Sequence, residues 1–189
     1  RLKKAHFETA MRLKVKRIVM GECGHAFRSV YDVGNRWLVW KMPPIPVIHG
    51  IQFYYELFKE GKIRVTEKFD KPVTFHDPCQ VSRRGGATQA PRTVMKALGL
   101  DLQEMTPTAD DNWCCGGGGG VVTIHRADDL RYKVFELKMD QVEKTGADTI
   151  LSTCSNCRQS FNDAKDHFKW DKNIDSLLEL VADNIIEDD

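Results

Sequence analysis

The residues of this sequence with the most distinctive chemistry are its six cysteines, Cys23, Cys79, Cys114, Cys115, Cys154 and Cys157. Five of them form the pattern C-x34-CC-x38-CxxC. Thiolates are soft metal ligands and redox-active nucleophiles. A CxxC pair with two further cysteines can make a tetrahedral zinc site. Five thiols exceed that requirement, and two adjacent cysteines do not readily take two corners of one tetrahedron. A centre with several metal atoms suits adjacent thiolates, because each sulfur can bind a different iron or bridge two. Spacing therefore favours iron and sulfide, with zinc and a thiol–disulfide couple as the remaining readings. A disulfide framework fits poorly, since those belong mainly to short secreted chains and this one has 189 residues, 29% of them charged.

The adjacent pair runs directly into five glycines, Gly116 to Gly120, in "DDNWCCGGGGGVV". Glycine widens the unfolded ensemble and has no side chain to bury, so such a run needs a local reason. Backbone N–H groups brought close to sulfur without a Cβ in the way supply one, with Gly116, Gly117 and Gly118 the candidates nearest the thiols. A flexible linker is the alternative, and the position between two thiols and "VVTI" argues against slack. His25 follows Cys23 by two residues, a pairing suited to sulfur exchange with proton transfer, or equally to a structural cysteine and a helix-start histidine. His76, three residues before Cys79, is a candidate donor or proton source beside the thiols. Arg83 and Arg84 offer positive charge nearby, and His49 and His125 have weaker claims.

Short apolar runs alternate with helical segments. "RIVMG" from Arg17, "PVIH" from Pro46, "PVTFH" from Pro72 and "DTILS" from Asp148 suit buried parallel strands. The clearest helix is expected from about Ala127 to Thr145, with Leu130, Val134, Leu137 and Gln141 on one face and Gly146 as its stop. The alternation predicts an α/β chain. Each cysteine of the five falls where a strand or the glycine turn ends, and the ends of parallel strands converge on one crevice.

"RIVMGECGHAFRSVYD" from Arg17 can be laid on "DTILSTCSNCRQSFND" from Asp148 without a gap, placing Cys23 on Cys154 and Ala26 on Cys157. "VIHGIQFYYELF" and "NIDSLLELV" then follow in equivalent places. The expected architecture is two unequal repeats, each a short, mainly parallel sheet flanked by helices. Residues 1–66 form a degenerate first repeat and 67–189 the complete one, with "KMPPIP" from Lys41 as a break and "EKFDKP" from Glu67 as the boundary. Trp37, Trp40, Phe53, Tyr54 and Tyr55 read as core or interface aromatics.

With 28 Lys+Arg against 27 Asp+Glu, net charge is +1, so nothing recommends a nucleic acid as partner. No apolar run approaches the roughly 18 residues of a membrane span. The opening "RLKKAHFETAMRLKVKR" is helix-like and has no initiator Met, which suggests a piece of a longer protein whose membrane anchor, if any, lies elsewhere.

"HDPC", "CCGGGGG" and "TGADTILSTCSNC", preceded by "GECGHAFR" and "PVIHGIQFYYELFKEGKI", resemble the CCG cysteine-rich domain of heterodisulfide-reductase-like iron–sulfur oxidoreductases. Within that family the chain is most similar to the catalytic subunit of the sulfite-reductase-associated membrane redox complex. The resemblance implies a noncubane [4Fe-4S] cluster with Cys79, Cys114, Cys115, Cys154 and Cys157 as ligands. It also implies redox chemistry on a disulfide or trisulfide of a protein or small thiol, within an electron-transfer complex of sulfur metabolism. Two departures matter. The first repeat keeps only Cys23, which leaves one cluster, and the cysteine run of the family's ferredoxin-like domain is not in this sequence. A ferredoxin-like domain or subunit would then deliver electrons, and partner subunits would tie a cytoplasmic chain to the membrane. Where a second cluster is lost, space bounded by Cys23, His25 and the loop around Arg83 would admit a cysteine-bearing protein tail. The rival functions are an electron relay in a lactate- or glycerol-phosphate-type oxidoreductase and a zinc-stabilised interaction module.

Overall fold

A computed structural model describes residues 2–34, 36, 45–65 and 71–186. Within these, short parallel strands alternate with helices, as the sequence leads one to expect. Helix α1 (Leu2–Arg12) precedes strand β1 (Ile18–Met20), helix α2 (Gly24–Arg28), a π turn over Ser29–Gly34, strand β2 (Val47–His49) and helix α3 (Gly50–Lys59). The second series is β3 (Pro72–His76), α4 (Gln89–Ala97), β4 (Asp101–Leu102), α5 (Asp128–Glu143), β5 (Thr149–Ser152), α6 (Ser155–Phe168), β6 (Asn173–Ser176) and α7 (Leu177–Asn184). The breaks expected at Lys41–Pro46 and Glu67–Pro72 lie largely outside the described residues.

Two sheets result, both parallel. β1 pairs with β2, and four strands assemble in the order β4-β3-β5-β6. β4 and β6 are edge strands with mixed exposure, "DL" and "NIDS", too short or too polar to read as strands from the sequence. The central pair is apolar and buried. Val73 and Phe75 of β3 lie beside Ile150 and Leu151 of β5, all at most 5% exposed.

One apolar core draws on both series, with Phe7, Phe27, Val47 and Ile51 packed with Phe75, Val94, Leu151 and Val181. A second lies beneath α5 and α6, where Phe135, Val142, Ile150, Phe161 and Trp170 surround the thiols of Cys115, Cys154 and Cys157. Phe161 and Phe135 meet edge to face at 5.2 Å, as do Phe135 and Trp170 at 5.7 Å. Helix α5 falls where expected, but its inward face does not. Leu130 is 69% and Leu137 49% exposed, while Arg131, Phe135, Lys138, Gln141 and Val142 point inward. Hydrophobic periodicity misled here because two of the inward residues are cations with specific partners.

Candidate metal centre

In the order β4-β3-β5-β6, the chain leaves β3 in one direction and β5 in the other, so these two neighbours flank a switch point. A crevice is expected beyond their carboxyl ends, and the β4-to-β5 connection carries Cys114 and Cys115 over it. His76 ends β3 and Ser152 ends β5, directly paired. Cys79 follows three residues after β3, and Cys154 two residues after β5 as the N-cap of α6.

The loop carrying Cys114 and Cys115 is fixed over this crevice by polar contacts. Asp77, 1% exposed, receives both terminal nitrogens of Arg92 at 3.0 and 2.8 Å and the Ala109 N–H at 3.0 Å. Arg92 also reaches Glu104 and Thr108. Arg83 donates to the carbonyls of Asp110 and Asn112. From the opposite side, α6 holds the loop with Ser160 Oγ on the Cys115 carbonyl at 2.8 Å and Asn156 on the Gly117 carbonyl at 2.9 Å.

The five thiols of the motif form one continuous series. Cys115 donates to Cys157 Sγ at 3.2 Å, and the others are linked to this pair electrostatically, Cys79 with Cys114, Cys114 with Cys115, and Cys154 with Cys157. The series runs from exposed Cys114 and half-buried Cys79 inward to the buried other three, and all six cysteines are free of disulfides. Protons cannot leave them all. Cys114 is held well below the ordinary thiol range, first by Cys115, then by Cys79 and the Gly116 N–H. Cys154 is lowered to about 6, first by Cys157 and then by the N–H groups of Gly24, Cys157 and Asn156. Cys115 is pushed up to about 12 by its bond with Cys114, Cys79 is raised by Cys114 and by burial, and Cys157 is raised by Cys115 and Cys154. Five thiolates crowded together need compensating positive charge.

Part of that charge is built in. Lys138, 1% exposed, enters from α5 and donates to Asn112 Oδ1 at 2.9 Å. Burial lowers its pKa to about 8, opposed by the negative charges of Cys115, Asp77, Cys114 and Cys157. His76 sits against the same group, and one of its ring nitrogens lies within 4.8 Å of the sulfurs of Cys115 and Cys157. Burial holds its pKa well below the usual histidine value. Lys138, Asn112, Asp77 and Arg92 were not singled out from the sequence. Only Asp77, inside "HDPC", and Asn112, inside "DDNWCCGGGGGVV", lay within quoted stretches.

Of the glycines, Gly116 at φ +80° donates its N–H to Cys114 Sγ at 3.4 Å, and the Gly117 N–H stabilises Cys115. Gly117 packs so closely on α6 that a Cβ would stand 2.8 Å from Ser160 Cβ, which explains why no larger residue fits. Gly118 lies beside His25 instead, and the Gly119 N–H donates to His25 Nε2 at 3.4 Å. The glycine run thus bridges the thiols and the Cys23–His25 loop. That loop also touches the site through Glu22, whose carbonyl accepts from Ser155 N at 2.7 Å and whose carboxylate meets Arg158 and Ser176. Cys23 Sγ itself accepts from Ala26 N at 3.5 Å.

The remaining candidates are elsewhere. Arg84 is exposed, His49 is buried as the N-cap of α3, and His125 is exposed next to Asp128. Tyr54 and Tyr55 pack on the first core, and Trp37 and Trp40 lie outside the described residues.

Residues 73–162, which span all five motif cysteines, match the family described as the CCG cysteine-rich domain. This chain carries a CCG cysteine-rich domain. It is similar to a subunit of the dihydromethanophenazine:CoB–CoM heterodisulfide reductase of Methanosarcina barkeri, with 32% identity over 179 residues, 94% of this chain and 43% of the relative. An Hdr-like menaquinol oxidoreductase iron–sulfur subunit 2 from Archaeoglobus fulgidus is 26% identical across 95% of this chain and 39% of its own length. An EtfAB:quinone oxidoreductase from Syntrophomonas wolfei is 28% identical across 76% of this chain and 20% of its own. The chain therefore spans less than half the length of each.

The CCG site fits a multi-iron centre on the chemistry of its donors. Adjacent soft sulfurs, backbone N–H groups stabilising three of the five and a buried ammonium beside them match a sulfide-rich anion better than a single zinc ion.

Proposed function

We propose that this chain is an iron–sulfur redox domain holding a noncubane [4Fe-4S] cluster on Cys79, Cys114, Cys115, Cys154 and Cys157. It reduces or oxidises a disulfide or trisulfide on a thiol partner, with a cysteine-bearing protein tail as the favoured substrate. The observation that carries this reading is the contact of Cys115 with Cys157, with Cys79, Cys114 and Cys154 coupled to it electrostatically from three segments at one switch point. The iron–sulfur and heterodisulfide-reductase names of its relatives support it.

When bound, the cluster supplies single electrons beside the substrate sulfurs. The chain's own residues do the rest. Gly116 and Gly117 N–H groups and Lys138 offset negative charge, while Arg131, Phe135 and Phe161 wall the inner side from water. Cys23 and His25, joined to the site through Glu22 and Gly119, receive the substrate. His25 Nε2 accepts a hydrogen bond, so a neutral His25 carries its proton on Nδ1, from which it can be passed to a departing thiolate. Reduction of one disulfide consumes two electrons and two protons and yields two thiols, and the electrons come from a ferredoxin-like domain or subunit. We place the chain in a larger complex of sulfur metabolism, at the cytoplasmic side and tied to the membrane by partner subunits. Among the described residues no helix is long and apolar enough to cross a membrane. Residues 1–66 and 67–189 remain our division into a degenerate and a complete repeat.

Anaerobic purification or reconstitution, with iron and sulfide counted per chain, tests the cluster. Stoichiometric zinc without sulfide would overturn it. The reduced, loaded chain is then mixed with disulfide forms of candidate thiols while its paramagnetic signal is followed. If small heterodisulfides perturb the signal and a disulfide-bearing protein tail never does, the protein substrate is wrong.

A further inference from the structure

A series of side chains leads from α5 to the thiols through Asn112, which is 3% exposed. Lys138 Nζ stands 2.9 Å from Asn112 Oδ1. An ammonium only donates, so the oxygen of the amide must face it. On the other side, Asn112 Nδ2 stands 2.5 Å from the Asp77 carbonyl, which only accepts. The two contacts agree on a single orientation of the amide. The same Nδ2 lies 3.5 Å from His76 Nδ1. An amide NH2 has no lone pair to offer a ring N–H, so Nδ1 must be the accepting nitrogen, and the neutral imidazole carries its hydrogen on Nε2.

That nitrogen is buried and has no protein partner. A buried N–H left without an acceptor costs about 1–3 kcal/mol. The ring is held edge-on to Phe161 at 4.8 Å, which restricts it from turning to find a partner elsewhere. Next to the ring are Cys115 and Cys157, two of the five sulfurs. Resting on the iron–sulfur reading above, we infer that Lys138, Asn112 and His76 form a relay that makes His76 an N–H donor to a sulfur of the bound cluster, and not a sixth metal ligand. Nε2 in this tautomer has no lone pair for iron. Hydrogen bonds to cluster sulfurs favour the reduced, more negative state, so the relay raises the cluster's reduction potential. In this relay Asn112 and Lys138 are positioning residues that act through His76, beside the direct charge that Lys138 contributes.

Two measurements on the full chain separate this relay from the function it serves. Before reconstitution, nitrogen-15 NMR of the histidine rings, with His76 assigned by its absence in His76→Phe, reads the tautomer directly. Hydrogen on Nε2 is expected, and hydrogen on Nδ1 overturns the relay whatever metal the site holds. After reconstitution, His76→Phe is expected to keep the iron and sulfide content of the parent, to titrate at a lower potential, and to lose an exchangeable-proton coupling seen by pulsed EPR. Loss of iron together with loss of a strong nitrogen coupling would make His76 a ligand, and an unchanged potential would remove its role as donor. Asn112→Asp serves as the second variant if His76→Phe does not fold. Its carboxylate accepts from Nδ1–H and so reverses the tautomer, and the proton coupling is expected to vanish with His76 still present. Should the parent chain take up no iron and sulfide, the iron–sulfur reading and the donor role fall together, while the NMR result still reports whether the relay sets the tautomer.

Discussion

Two loops of this chain share one backbone design and differ in what surrounds it. β1 runs into Cys23 and α2, and β5 runs into Cys154 and α6. Both cysteines are N-caps in extended conformation, at φ −123°, ψ 102° and φ −137°, ψ 113°. Their partner strands also correspond, with Met20 opposite His49 and Ser152 opposite Ser176. Yet Cys23 receives one N–H, from Ala26, whereas Cys154 meets the Cys157 thiol and through it three more. The cause lies one strand away. β5 has β3 on its other flank, which adds a switch point and brings Cys79 to it, while β1 pairs with β2 alone among the described residues. A strand–cysteine–helix turn positions a thiol, and the neighbouring strand makes that thiol part of a site.

The largest expected difference between the loops is in metal content. Cys157→Ser and Cys115→Ser should lose iron by at least the roughly 10- to 100-fold typical of losing even an outer-shell partner, because a hydroxyl replaces a soft thiolate. Cys23→Ser should retain it. Iron and sulfide per chain after anaerobic reconstitution decide the matter, and complete loss in the Cys23 variant would make the two loops equivalent.

Stability should separate the regions next. The Asp77–Arg92 pair near the motif has side chains 1% and 17% exposed, and Asp77→Ala removes the more buried of the two carboxylates that Arg92 meets. Glu104 and Thr108 still hold Arg92, so about 1–3 kcal/mol is expected from urea unfolding, mainly from the lost Asp77 contacts to Arg92 and the Ala109 N–H. The Arg17–Glu56 pair of the first series, with side chains 41% and 38% exposed, should contribute about 0–1 kcal/mol, so Glu56→Gln is nearly silent.

The caps of the second helices supply a pH test. His49 accepts from Ile51 N at 3.3 Å, and at the matching place in the second series Ser176 accepts from Leu178 N and Glu179 N. Burial lowers the His49 pKa from 6.5 to about 4. Between those values the unfolded chain binds the proton and the folded chain does not, so this contribution is complete above pH 6.5 and lost as pH falls to 4. At 1.36 kcal/mol per pKa unit the loss approaches about 3 kcal/mol. His49→Asn keeps a capping side chain, and its stability measured against pH should lack this acid limb. An unchanged limb would place the sensitivity elsewhere.

What the sequence reveals follows from what repeats along it. Four strands were legible as apolar runs, of which β1 proves half exposed, and Cys79 and Cys154 as residues just past strand ends, whereas Cys114 and Cys115 lie in the long loop after β4. Edge strands β4 and β6 were not, since exposure on one side removes the apolar signal. The inward places of Lys138 and Arg131 were not legible for a related reason. A buried cation is stabilised by particular partners, and Asn112 for Lys138 and Asp163 for Arg131 are distant in sequence, with only Asp128 close by. Asn112 carried no signal of its own, being one polar residue in "DDNW" until folding sets it between Lys138, Asp77 and His76.

The smallest effect tests whether the CxxC spacing matters without its surroundings. Ala26 occupies the place of Cys157, at the third helical position after the cap. Ala26→Cys would give the first loop the same C-x2-C as the second. If spacing alone made the centre, the variant should bind additional iron. The first loop has no counterpart of Cys79 or of the Cys114–Cys115 pair beside it, and two thiols do not replace five. We expect iron per chain unchanged, and stability within about 0.5 kcal/mol of the parent, because alanine and cysteine differ by only tenths of a kcal/mol in helix propensity. Extra iron or sulfide in this variant would mean that the first loop retains more of a metal site than its flanking strands show, and the contrast drawn between the two loops would have to be abandoned.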